Sequence, residues 1–173
     1  MINYRISKYD PKLRDRAGRY MPEDWIAISD IGKAFNGEIL TNERYTSVED
    51  SYVNAVLMIM DYTQIPYLTV NNIRKNFNDN VFEHTANRFS KHYSSKDIKD
   101  VYYNLKNGKK YTAQQIESII RLLLREDVGM EVFYENELKV FIGYDFLMGV
   151  HTLKSIESII PSIENMGLFV EVK

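Results

Sequence analysis

A hydrolase of the familiar kind would combine a serine, threonine or lysine with a histidine and an acid, and this chain offers three histidines, His84, His92 and His151, and no cysteine. A serine, threonine or lysine nucleophile needs a base within hydrogen-bond reach, and the base in turn needs an orienting group. The absence of thiols removes cysteine nucleophiles, disulfides and Cys-ligated zinc or iron–sulfur sites. His84 and His92 lie eight positions apart in a polar passage, and no HExxH pattern, His pair at i and i+4, or acidic calcium loop occurs. These imidazoles are expected to face solvent or cap backbone, and no metal site is expected. Phosphate-binding loops need clustered glycines so that backbone N–H groups can approach the ligand. The 8 glycines are scattered singly, so no nucleotide and no other cofactor is expected.

Carboxylates are the more numerous candidates. From Tyr111 to Lys173 ten acidic side chains stand against five basic ones, whereas Ile65 to Lys110 holds nine basic and four acidic. The whole-chain charge of −2 therefore conceals two opposed regions. Such opposition concerns partners and association, not fold. Glu126 and Asp127 follow Arg121 and Arg125 at the end of a helical pattern, where a carboxylate is unfavourable unless a cation answers it. Pairing within the helix is one answer, and a basic partner is the other. Glu131, Glu135 and Glu137 read as hairpin positions that are either solvated or part of one acidic rim with the helix end. Asp145 lies in an otherwise apolar stretch and must find donors or sit at a sheet edge. These six, Glu126, Asp127, Glu131, Glu135, Glu137 and Asp145, are the candidate partner-binding residues. In the basic region Lys106, Lys109 and Lys110 alternate with Tyr102, Tyr103 and Tyr111, a pattern that suits either a solvated helix end or phosphates with rings stacked on bases.

The elements that must position these groups follow from periodicity. With 173 residues, 45% of them hydrophobic, the chain suits one domain over 1–173. No apolar run approaches the roughly 20 residues that span a bilayer, and the polar start is unlike a signal peptide, so a cytoplasmic location without membrane contact is expected. Tyr4 to Tyr9 reads as a strand in a loop-rich first forty-five residues, with Ser29 or Asp30 capping a turn through Phe35. Ser47 to Asp61 reads as a helix with Ser47 and Asp50 as capping box, and Tyr67 to Val70 as a strand. Val81 to His92 and Lys96 to Leu105 read as helices, the second capped by Ser95 and stopped by Gly108. Thr112 and Gln115 form a capping box ahead of Ile116, Ile119, Ile120, Leu123 and Leu124, the strongest helical stripe. Met130 to Tyr134 and Leu138 to Tyr144 form a hairpin, with Leu138 through Met148 sharing one face if the strand is unbroken. Gly143 and Gly149 mark a bulge or the close approach of a helix backbone. A last helix from Leu153 to Met166, kinked by Pro161, precedes a strand from Leu168 to Val172 that joins the hairpin. The class is α+β: a small antiparallel sheet with a C-terminal hairpin, packed against helices on one side.

Certain of these segments resemble bacterial immunity proteins encoded beside polymorphic or contact-dependent toxins. They are Leu122 to Glu126 with Phe-Ile-Gly-Tyr-Asp-Phe-Leu-Met at Phe141 to Met148, and the opening Tyr4 to Pro11 with Trp25 and Ser29 to Gly32. The resemblance implies a binder that occupies the active or substrate surface of a cognate toxin, often a nuclease in such systems. It carries over no catalytic residues and implies no enzyme. The acidic C-terminal third then answers a basic toxin, with electrostatics speeding association. The alternative is a nucleic-acid-binding regulator that uses the basic middle segment, although no nucleic-acid-binding signature is present and the chain as a whole is acidic.

Overall fold

A computed structural model describes the chain from Met1 to Lys173, apart from the side chain of Lys96. In chain order the elements are β1 (Ile2–Ser7), β2 (Ala34–Phe35), β3 (Glu38–Ile39), α1 (Asn42–Thr63), β4 (Tyr67–Lys75), α2 (Asp79–Arg88), α3 (Ser90–Tyr93), α4 (Lys96–Tyr103), β5 (Lys110–Thr112), α5 (Ala113–Leu124), β6 (Val128–Tyr134), β7 (Leu138–Ile142), β8 (Met148–Thr152), α6 (Ile160–Glu164) and β9 (Phe169–Val172). Seven strands form one antiparallel sheet in the order β5-β4-β6-β7-β8-β1-β9, and β2 and β3 make a separate short ribbon. The fold is α+β, as the periodicity implies, with a larger sheet than expected.

Alternation along the strands sorts the sheet into two faces. Tyr4, Ile6, Leu68, Val70, Val128, Val132, Leu138, Val140, Met148 and Val150 are buried on the inner face. There they meet Tyr52, Val56 and Ile59 of α1 and Ile116, Ile119, Ile120 and Leu123 of α5 in one core. The outer face carries Arg5, Glu131, Phe133, Lys139, Phe141 and His151, and all of these remain partly or fully exposed. Helices thus cover one side only, which leaves a polar-aromatic sheet face in water.

Several boundaries differ from the sequence reading. Helix α1 begins five residues before Ser47, because the Thr41 hydroxyl accepts from Arg44 N and caps it there. Ser47 is inside the helix and Asp50 binds Arg121 instead of closing a box. The 81–92 helix breaks at Phe89, whose φ of −109° and ψ of 43° end α2 before α3 starts. Asp30 accepts from Ile26 N and Ala27 N and holds only a 3-10 turn over Ile28–Asp30, followed by β2. Pro161 falls in the first turn of α6, where its missing N–H costs nothing, so it starts a short helix and kinks none. The Thr112–Gln115 capping box of α5 forms as expected.

Two differences matter for function. The second hairpin strand stops at Ile142, where Gly143 N donates to Leu147 O and turns the chain into β8, so Leu138 to Met148 is two strands with a tight turn between them. Over Gly149 lies the ring of Phe141, so close that a Cβ there would meet it at 2.1 Å. It is a cross-strand aromatic that needs a glycine opposite, not a bulge or a helix. Strand β9 pairs with β1, away from the hairpin, and β1 lies between β8 and β9.

Candidate functional site

The largest assembly of titratable groups is buried between α1, α3 and α5. Glu49 of α1 is fully buried, and its carboxylate accepts from Arg125 Nε at 2.7 Å, Arg125 Nη2 at 2.6 Å and Arg121 Nη1 at 2.9 Å. Arg121 Nη2 also donates to Asp50 at 2.7 Å and Glu117 at 2.9 Å, and Arg125 Nη1 donates to the His92 carbonyl at 2.8 Å. Burial pushes the Glu49 carboxyl up, but the two guanidinium groups outweigh it and hold it below the usual range. Burial and the charge of Arg125 lower the His92 imidazole, whose Nε2 lies 2.9 Å from Asn42 Oδ1. A fully buried carboxylate held ionised by two arginines is a poor base and out of reach of substrate, so this network ties helices together.

The six acidic candidates separate in space. Asp127 is 2% exposed, accepts from the Tyr93 hydroxyl at 2.7 Å, and is pushed up to about 6 by burial. It therefore belongs to the core. Neither it nor Glu126 pairs with Arg121 or Arg125, which turn inward to Glu49. Glu131 lies on the outer sheet face and accepts from Lys139 at 2.9 Å and Asn72 at 3.1 Å. Glu135 and Glu137 occupy the β6–β7 turn, whereas Glu126 and Asp145 lie at the other end of β6, roughly 20 Å away at about 3.3 Å per strand residue. One continuous acidic rim is not formed. The reason is the meander β6-β7-β8, which sends successive turns to opposite ends of the sheet.

The feature that sequence reading missed is the β7–β8 turn, Gly143 to Leu147. Asp145 and Phe146 both adopt left-handed backbone, with φ of 58° and 59°. Asp tolerates that region, but a bulky aromatic does not, and holding it there costs about 1–3 kcal/mol. The Phe146 ring is buried against Trp25 at 5.0 Å and Tyr52 at 5.7 Å. Its carbonyl accepts from the Tyr52 hydroxyl at 2.6 Å, and that hydroxyl accepts in turn from Lys8 N at 2.7 Å. Locked from below, the turn projects Tyr144 into water at 82% exposure beside Asp145. A signal was present in the apolar Phe146 two residues beyond Tyr144, but periodicity made both part of one strand face.

A cleft lies on either side of the turn. One, of about 440 Å³, is bounded by Arg74, Phe77, Glu126, Ile142 and Tyr144. The other, of about 330 Å³, is bounded by Arg5, Tyr9, Tyr20, Asp24, Ile26 and Asp145. Next to the second, Lys8 reaches Asp24 at 2.6 Å with its ammonium 3.9 Å above the Trp25 ring, and burial lowers it to about 8.

The remaining sequence candidates are dispersed. His84 is exposed, and His151 meets the Phe141 ring edge-on at 5.1 Å. Among the described residues no group of three or more His, Asp or Glu side chains is placed to hold a metal ion. In the basic segment Tyr102 and Tyr111 are buried, so of the three interleaved rings only Tyr103 offers a face to a base. No helix is long and apolar enough to cross a membrane. No protein-family model, no curated protein and no solved structure matches the chain.

Proposed function

We propose that the protein is a bacterial immunity protein that binds a cognate basic toxin and covers its active or substrate surface, docking through the β7–β8 turn. The observation that carries the reading is Tyr144, exposed at 82% on a turn whose backbone is strained and anchored by a buried phenylalanine. A large exposed aromatic on an anchored turn is the kind of side chain that dominates protein interfaces, because it has few rotatable bonds to immobilise when a partner buries it. The segment that resembles immunity proteins, Phe141 to Met148, is the one that builds this turn. Glu126 and Asp145 flank Tyr144 without an ion-pair partner among the described residues, which suits them to a basic surface. The strongest cluster of buried charges is occupied by its own partners and gives catalysis no support.

The test is calorimetry with the protein encoded by the neighbouring toxin gene. Tyr144→Ala is expected to weaken the complex by about 2 kcal/mol or more, roughly thirtyfold, with the melting temperature unchanged. Absence of any complex with the unaltered protein, or equal affinity for the variant, rejects the reading.

A further inference from the structure

The cleft of about 330 Å³ between the N-terminal segment and the β7–β8 turn carries four charged side chains, and two of them are already answered. Arg14 donates twice to Glu171, at 2.8 and 3.0 Å, and Asp24 accepts from Lys8. Arg5 and Asp145 are different: among the described residues neither forms an ion pair or a side-chain hydrogen bond, with each other or with anything else. A cleft with one free cation and one free anion repels part of any simple cation or anion, and it complements a molecule carrying both charges. Its remaining wall is apolar, from Pro22, Ile26, Leu147 and the paired rings of Tyr9 and Tyr20, whose centroids are 4.8 Å apart. Its size is at the low end for small-molecule sites, too small for a nucleotide cofactor.

We propose that this cleft binds a free α-amino acid with an apolar side chain, its carboxylate on Arg5 and its ammonium on Asp145. Tyr9 adds to the apolar wall. The residue is 6% exposed and lines the cleft, yet its buried hydroxyl has no hydrogen-bond partner. That hydroxyl is closed off from the cleft, so it is the edge of the ring that faces a ligand. Burial and the nearby carboxylates of Asp24 and Asp145 keep this phenol protonated. Asp145 itself has left-handed backbone in the anchored turn and lines the cleft. The site shares Asp145 and the β7–β8 turn with the proposed docking surface, but its test needs no macromolecule.

The test is an NMR titration of the full chain, without any partner protein, using L-phenylalanine and L-leucine at millimolar concentration. Saturable shifts are expected at Arg5, Tyr9 and Asp145 to Leu147. Arg5→Gln and Asp145→Asn should each weaken binding at least tenfold while leaving thermal unfolding unchanged, and Asn accepts the left-handed backbone there. With the unaltered protein, N-acetylphenylalanine and phenylalaninamide should each bind at least tenfold more weakly than phenylalanine, an arm that needs no variant to fold. No saturable shift with either amino acid, equal binding of the two blocked derivatives, or indifference to both substitutions overturns the proposal, whatever the outcome with a toxin.

Discussion

Asp127 and Glu49 show how differently one burial acts on two carboxylates. Glu49 has two guanidinium partners and stays ionised; Asp127 has a phenol and is pushed up to about 6 from the usual 3.8. A folded-state value above the unfolded one means that the protonated acid is favoured by folding. That contribution is complete below pH 4 and is lost as pH rises past 6, a difference on the order of 3 kcal/mol. Asp127→Asn, which still accepts from Tyr93, is therefore expected to be more stable than the unaltered protein at pH 7.5 and no more stable near pH 4. Urea unfolding at the two pH values measures this, and an equal difference at both contradicts it. Glu49→Gln has the opposite character. It leaves the Arg125 guanidinium, whose side chain is 1% exposed, without a counter-charge and should cost about 3–5 kcal/mol in the same assay.

At the scale of elements, helix starts are decided by which hydroxyl reaches the first free N–H groups, and that is testable. Thr41→Ala removes the observed cap of α1 and is expected to lower stability by about 1 kcal/mol. Ser47→Ala, at the exposed position that the sequence pattern suggests as the cap, should change it by less than about 0.5 kcal/mol. Chemical denaturation of the two variants separates the assignments. Where local chemistry is complete within four residues, as in the Thr112–Gln115 box of α5, pattern and structure agree. Where two capping patterns compete along one apolar stripe, as at Thr41 and Ser47, packing of Tyr45 into the core decides for the earlier one.

Across the whole molecule, the first strand lies inside the sheet, one in from the edge, and the last is the edge strand itself. Deleting residues 1–7 removes Tyr4 and Ile6 from the core, leaves β8 unpaired on that side and deprives β9 of its strand partner. The shortened chain is expected to lose its cooperative thermal transition. Deleting residues 169–173 removes only an edge strand and should lower the melting temperature while keeping the transition. Circular dichroism melts distinguish these outcomes, and a cooperative melt for the first deletion would show that β1 contributes less than its position implies.

By itself the amino-acid order determined what depends on neighbours: the α+β class, the stripe of α5 and its cap, the hairpin of β6 and β7, and the absence of thiols. Only tertiary structure decided which carboxylates are available. Asp127 and Glu126 are adjacent in sequence, yet one faces the core and the other water, because the chain reverses between α5 and β6. The pairing of Glu49 with arginines more than seventy positions away, and the strained Phe146 seated beneath Tyr144, arise from long-range packing that no local period encodes. Charge counts along a segment could not reveal these choices, since burial and pairing are properties of what the fold brings together.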